Sequence, residues 1–379
     1  MKFLIITHTI HNYYEEKYWA YGPYTREMNL WEKHVDELMI VAPLRYDLPN
    51  SIDLPYKSVT INFISVPSFD LIGLRSRIFT ILKLPILLWR IFKAMRSADH
   101  IHLRCPGNIG LLATIVQVLF PQKMKTAKYA GNWDWNSKQP FSYRLQQKIL
   151  RNTLVTKNMK VLVYGDWKET SNIKPFFTAS YSKREILETP IRKFENRKAI
   201  KLIFVGSLVD AKRPMLGLEV SRKLSLLGIK NEIHFYGEGV ERPNLEAFIK
   251  KNSMQISSFL HGNVDADEVK QAFQESHFLL FISKSEGWPK AVAESMFWGC
   301  LPLTSAVSCV PEMIGHGERG DLIEPIVNLI VEKINFYLQN PAQYNIKCSC
   351  AMNWSREFTL EKFENEIKLF LNSNCNNTN

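Results

Sequence analysis

Two doubly wound α/β domains in tandem are predicted for this chain. Its 379 residues correspond to two domains at roughly 150 residues each. Short β-branched apolar runs alternate with longer helical patterns, and this alternation occurs twice. Such alternation signals parallel βαβ units. Between the two series lies a stretch rich in Lys, Arg and Glu, residues 183–201, which contains Pro190 and reads as a linker.

In the first series the predicted strands are residues 3–7, 38–41, 61–66, 100–103, 126–129 and 161–163. In the second they are 201–205, 232–236, 257–260, 278–282, 301–304 and 321–323. Helical patterns at about 326–338 and 360–371 follow, and the chain ends in a polar Asn/Ser tail expected to lack structure. Facing domains of this kind bind ligands beyond the carboxyl ends of their strands, so the site is expected between the halves.

Apolar residues make up 46% of the chain and charged residues 22%, a globular composition. The formal net charge of +11 lies wholly in the first half. Residues 1–190 hold 26 basic and 15 acidic groups, whereas 191–379 hold 22 of each. That asymmetry points to an anionic partner for the first half. Its cations are spread over several elements without a helix-turn-helix, zinc or aromatic-sheet signature, so no nucleic acid is expected.

Six scattered cysteines (Cys105, Cys300, Cys309, Cys348, Cys350 and Cys375) form no C-x-x-C pair, and a reducing compartment fits them best. The apolar run at 3–6 is too short for a secretory signal. The longest uncharged stretch, 105–122, is broken by Pro106, Gly107, Gly110 and Pro121, so no transmembrane helix is expected. A cytoplasmic protein is expected, with the inner face of the membrane as an alternative location.

The most informative stretch is 281–299. A buried strand ends near Ile282, Glu286-Gly287 forms a turn, and Pro289 stands at the first residue of a helix that runs toward Gly299. The first amides of that helix have no helical acceptors and sit at the positive end of its dipole, a place suited to phosphate. Glu286 and Glu294 flank the helix start. Eight residues of helix rise up to ~12 Å, more than the ~5–9.5 Å between the paired carboxyls of a glycosidase. A hydrolase is disfavoured. Two carboxylates with an anion site between them suit a diphosphate bearing a hydroxyl-rich group at each end, which describes a nucleotide sugar; the plainer reading is an exposed turn acid and a solvated helical one.

The pattern Ser283-x-x-Glu286-Gly-Trp-Pro289, with Glu294 eight residues after Glu286 and then Gly299-Cys-Leu-Pro302, resembles the donor site of glycosyltransferase family 4. That is the retaining group 1 family with the GT-B fold, two Rossmann-like domains facing a central cleft. The likeness continues through Phe204-Val-Gly-Ser-Leu208, Lys212-Arg-Pro214, Phe235-Tyr-Gly-Glu-Gly239, Leu260-His-Gly-Asn-Val264, Val310-Pro-Glu312 and Gly320-Asp-Leu-Ile323. In the first half it is looser, carried by Gly22-Pro23-Tyr24, Arg104-Cys-Pro-Gly107 and Tyr129-Ala-Gly-Asn-Trp133.

The resemblance implies an acceptor domain over 1–185 and a donor domain over 195–355, with a last helix at about 358–372 packing back on the first. It further implies that Glu286 binds hydroxyls of the transferred sugar and Glu294 the ribose. Lys212 would contact the diphosphate beside the backbone of Gly287, Trp288, Pro289 and Lys290. Gly22 would let the first domain's backbone approach the same phosphates, and Gly237, Asn263 and Val264 would line the base. The catalytic pair is therefore Glu286 and Lys212.

Two departures from the family stand out. Ser207 occupies a position where the family usually has Arg, and a charge-assisted hydrogen bond of that kind is worth about 1.5–3 kcal/mol; Arg213 is the candidate substitute, against plain surface exposure. The first-domain loop at 131–134 lacks the His found in many members, which leaves Asn132 and Asp134, with His8 and His11, as acceptor-side candidates. For His8, His11, His100 and His102 no third ligand lies nearby, and a structural role is favoured over metal.

Asp265-Ala-Asp267 resembles a metal-binding Asp-x-Asp, but Asp265 with Glu268 makes a capping pair, the favoured reading. No metal or cofactor is expected beyond the nucleoside-diphosphate sugar itself. Residues 71–98 carry Arg75, Arg77, Lys83, Arg90, Lys93 and Arg96 among many apolar residues and no acid until Asp99. They form a domain helix kinked at Pro85, one face of which could lie on an anionic membrane.

The expected activity is thus transfer of a sugar to a glycan or lipid-linked acceptor in surface polysaccharide assembly. A nucleotide-sugar epimerase of the same fold and a non-catalytic sugar-nucleotide binder are the alternatives. An NAD-dependent dehydrogenase is disfavoured, because no Gly-x-Gly-x-x-Gly follows the first strand.

Overall fold

A computed structural model describes residues 1–58, 60–67, 74–167, 170–187, 189–195 and 198–372, with the backbone only for 74–83. Residues 71–73 and the side chains of Arg75, Arg77 and Lys83, together with the polar tail and Cys375, lie outside the described residues. The chain forms two compact units, 1–177 with 363–379, and 178–362.

In the first unit a seven-stranded parallel sheet is built from β1 (Lys2–Ile6), β4 (Glu37–Ala42), β7 (Ile61–Ser65), β8 (His100–Cys105), β9 (Met124–Tyr129), β10 (Met159–Tyr164) and β11 (Ile173–Phe176). The strand order is β11-β10-β9-β8-β1-β4-β7. Helices α1 (Gly22–Glu32), α2 (Leu74–Ser97), α3 (Asn108–Val116) and α4 (Phe141–Arg151) connect these strands. Strands buried on both sides read as continuous apolar runs, which is why most of them were predictable. Leu4, Ile6, Ile101, Leu103, Ala127 and Val161 form the centre of this core with Ile91 and Met95 of α2.

A small four-stranded sheet, not predicted, precedes and follows α1. It orders β5 (Leu44–Arg45), β2 (His11–Tyr14), β3 (Lys17–Tyr21) and β6 (Asp53–Pro55). Its β2–β3 hairpin turns on Glu15 and Glu16, both at positive φ.

The second unit carries a six-stranded parallel sheet of β12 (Ile200–Val205), β13 (Asn231–Tyr236), β14 (Ser258–Gly262), β15 (Phe278–Phe281), β16 (Leu301–Thr304) and β17 (Asp321–Leu322). Its order is β14-β13-β12-β15-β16-β17. Around it run α5 (Pro214–Leu226), α6 (Arg242–Lys251), α7 (Ala266–Glu275), α8 (Lys290–Phe297), α9 (Val310–Met313), α10 (Val327–Gln339) and α11 (Pro341–Ser355). Ile191 and Phe194, within the stretch read as a linker, pack on this unit's core. In the last helix, α12 (Leu360–Asn372), Phe363 and Ile367 are buried, and Phe363 lies against Phe176 and Phe177 of the first unit's chain.

Both sheets reverse their direction of growth at one place, between β1 and β8 in the first and between β12 and β15 in the second. In open parallel sheets, crevices for ligands form at such reversals, beyond the carboxyl ends of the strands.

Candidate active site

The second sheet's reversal point is flanked by the loops after β12 and β15, and these carry Lys212 and Glu286. After β12, Gly206 and Ser207 lead into a short helical turn, Asp210–Lys212, and Arg213 takes a left-handed conformation before Pro214 starts α5. After β15 the chain runs through Glu286 and Gly287 to Pro289, which caps α8. The helix thus begins at Lys290, one residue later than predicted, and ends at Phe297. The predicted first residue is the cap because Pro289 has ψ 87°, outside the helical region.

The 282–289 loop is pinned from two sides. Arg213 donates to the Ile282 carbonyl at 3.1 Å, and the Lys284 amide donates to Ala211 O at 2.8 Å. From the other side, Ser305 Oγ donates to Ser283 O at 2.6 Å and the Cys309 thiol reaches Gly287 O at 3.5 Å. Lys212 and Glu286 form a direct ion pair, and the lysine ammonium also lies 5.4 Å from the centre of the Phe281 ring. Both side chains are largely buried, at 25% and 13% exposure, so the pair is screened less than a surface one. Arg213, the candidate substitute for the cation missing at Ser207, braces this loop with one of its five donors, while Ser207 itself is exposed.

Glu294, one turn into α8, accepts a hydrogen bond from the Ser180 hydroxyl, a partner that no local pattern announces. Within the helix, Val292 and Ala293 donate to Pro289 O, so the amides before them have no acceptor inside α8. A positive helix end, an ammonium and a carboxylate therefore share one edge of the sheet.

Gly237 ends β13 at φ 138°, and a Cβ there would stand 2.1 Å from the Gly206 carbonyl oxygen. Only glycine allows that approach. Its amide donates to Gly262 O, and Asn263 and Val264 follow in the loop to α7. In front of Gly206 a Cβ would meet nothing within 4 Å, so this edge is open there. Asp265 caps α7 by accepting from the Glu268 amide at 2.8 Å, the role favoured over metal.

The first-unit candidates divide. His8 follows β1 at that sheet's reversal point and is surface-exposed, although partial desolvation of its ring, followed by the Arg104 charge, lowers its pKa. His11 is a correction: it is fully buried in β2, stacked on Tyr56, and bonded to Thr9 O at 2.9 Å and to Tyr56 Oη at 3.0 Å. Burial pushes its pKa down to about 4. Gly22 is also corrected. It is the first residue of α1 rather than part of a loop after the first strand, its amide donates to Ile52 O at 2.9 Å, and that carbonyl fills the space a Cβ would need. Packing accounts for this glycine. Asn132 and Asp134 shape their own loop, Asn132 Oδ1 accepting from the Asp134 amide and Asp134 Oδ1 from the Asn136 amide, both at 2.9 Å.

Residues 187–349 match the family described as glycosyl transferases group 1. No curated protein matches the chain. Among solved structures, sucrose-phosphate synthase from Thermosynechococcus elongatus is similar with TM-score 0.68 at 16% identity, covering 98% of both chains. HepE from Anabaena, solved in complex with UDP and glucose, gives 0.69 at 12% identity over 98% of this chain and 100% of that one. The lipopolysaccharide outer core galactosyltransferase WaaB gives 0.68 at 14% identity over 98% and 99%. These likenesses extend the predicted GT-B fold over nearly the whole chain. Residues 187–349 thus carry a segment similar to the glycosyl transferases group 1, and the chain as a whole takes the fold of the GT-B glycosyltransferases.

Proposed function

We propose that the chain transfers a sugar from a nucleoside-diphosphate sugar to a glycan or lipid-linked acceptor, with retention and without a metal, in the assembly of a surface polysaccharide. The observation that carries this reading is the Lys212–Glu286 pair fixed at the reversal point of the second sheet, beside the amino end of α8. As the bond from the sugar to the diphosphate breaks, negative charge grows on the departing phosphate. Lys212 and the first amides of α8 oppose that charge, and such preorganised dipoles are where most catalytic stabilisation arises. Glu286 accepts hydrogen bonds from sugar hydroxyls and so orients the anomeric carbon, while Glu294 holds the ribose. UDP and glucose bound to HepE, a protein of the same fold, support a donor of this class.

For the acceptor side, the first half's excess of positive charge and the outward face of α2 support a lipid-linked substrate met at an anionic membrane. No described helix is long and apolar enough to cross a membrane. A thermal-shift panel of nucleotide sugars tests the donor class, since a ligand at 100 times its Kd adds about 2.7 kcal/mol of stability. With the donor so identified, Glu286→Ala is expected to lower kcat by about one to two orders of magnitude, as the loss of a charge-assisted hydrogen bond implies. Unchanged turnover in that variant would remove Glu286 from the reaction.

A further inference from the structure

Far from the reversal points, at the amino-terminal edge of the first sheet, β9, β10 and β11 begin around a cavity of about 480 Å³. That volume falls within the ~300–1,000 Å³ of small-molecule sites. Lys125, Lys157, Lys160 and Lys174 line it with Thr153 and Asn172, and among the described residues no carboxylate does. Lys174 pairs with Leu162, two residues along from Lys160, so both project from one face of the sheet. Lys125, paired with Met159, projects from the opposite face, and Lys157 comes from the turn before β10. Cations from three directions thus meet around one concavity.

Lys125 is 1% exposed, and its ammonium donates to Phe120 O at 2.9 Å and Gln117 O at 3.3 Å, two of its three donors. Burial pushes its pKa down to about 8, and burial followed by the Lys174 charge lowers that of Lys160. Like charges gathered in a partly desolvated hollow repel one another and raise the local concentration of anions.

We propose that this hollow is a second anion site, distinct from the donor-binding edge, which takes the phosphoryl group of a phosphate ester or diphosphate. Several oxygens sharing two negative charges match several ammonium groups better than a single carboxylate does, and lysine binds phosphate as a point charge. Pro121 and Gln122 of the rim follow closely on Leu119, which is 66% exposed, so a lipid headgroup can supply the phosphoryl as well as a free compound.

The test is acylation of the full chain with acetic anhydride, read lysine by lysine through peptide mass spectrometry, with and without inorganic pyrophosphate. Protection of Lys157, Lys160 and Lys174, with Lys17 and Lys250 unaffected, is the expected result. Lys157 and Lys174 are exposed, so Lys157→Glu with Lys174→Glu leaves the fold intact. That double variant is expected to lose the protection of Lys160 and to weaken pyrophosphate binding about a hundredfold, at about tenfold for each charge-assisted contact. A parallel arm replaces pyrophosphate with phosphatidylglycerol vesicles, phosphatidylcholine vesicles being the control. Protection by the anionic vesicles assigns the site to a lipid headgroup, and protection by pyrophosphate alone to a free phosphate compound. Equal acylation of all these lysines under every condition overturns the proposal.

Discussion

Glu27 on α1 faces two cations in the interior of the first unit. Its Oε1 is 2.6 Å from Arg104 and 2.9 Å from Lys128, and the three side chains are 6%, 11% and 0% exposed. Lys128 also lies about 5 Å from the rings of Phe176 and Phe363, which ties the last helix to the charge cluster. Removing one member of a buried ion cluster typically costs 3–5 kcal/mol because the opposite charges remain desolvated. Glu27→Gln is therefore expected to lower stability by about that much in urea unfolding. Adding Lys128→Met should recover part of the loss, a coupling that a double-mutant cycle reads directly. The same unit buries His11 and His100, whose pKa values burial lowers to about 4 and about 3. Both are depressed below the unfolded value of 6.5, so the folded state favours the neutral rings. Their contribution is complete above pH 6.5 and is lost as pH falls toward 4 and then 3, with a slope of about 1.4 kcal/mol per pH unit for each group. Thermal unfolding followed across that range should show the decline, and His11→Asn should flatten it above pH 4.

Three strand ends are laced together at the carboxyl edge of the second sheet, since Gly206 donates to Tyr236 O and Gly237 to Gly262 O. Gly237→Ala would force a methyl against the Gly206 carbonyl and hold a non-glycine residue at positive φ. Strain of this kind costs of order 1–3 kcal/mol, so the variant is expected to melt several degrees lower and to lose the thermal shift given by its donor. This element was legible because apolar runs mark β12 to β16 and a glycine closes each of β12, β13 and β14. The β2–β3 hairpin was not, since its turn places Glu15 and Glu16 at positive φ where Asn-Gly is the usual signal. Helix α11 was missed for another reason. Its buried positions Tyr344, Cys348, Ala351, Met352 and Ser355 recur at helical spacing, but small and polar side chains occupy several of them. The places of Glu286 before the helix start and of Glu294 within the helix were readable from their spacing. The Ser180 hydroxyl on Glu294 and the Arg213 brace on Ile282 join residues 114 and 69 positions apart, which no local pattern encodes.

Charge is distributed unevenly over the molecule, and α2 gives that imbalance a surface. Leu87, Ile91, Ala94 and Met95 turn inward to the first core, while Ile86 and Trp89, 59% and 62% exposed, share the outward face with Arg90, Lys93 and Arg96. Trp89 stacks on Phe92 at 5.8 Å, and Phe92 in turn meets Phe120 at 5.2 Å. An apolar strip bordered by cations and free of acids fits the boundary between lipid headgroups and acyl chains. Each cation near an anionic surface contributes about 1 kcal/mol, so Lys93 and Arg96 together are worth between one and two orders of magnitude in binding at about 1.4 kcal/mol per tenfold. The full chain is expected to pellet with phosphatidylglycerol vesicles at low salt and to leave them at high salt, as charge screening requires. Trp89→Ser should weaken pelleting through the apolar term, and Lys93→Glu with Arg96→Glu through the charges. Transfer to a water-soluble acceptor should be unchanged in both variants, because neither touches the edge that carries Lys212 and Glu286. If the wild-type chain stays in the supernatant at low salt, or if the variants pellet as well as it does, α2 is a packing helix and the acceptor reaches the enzyme from solution.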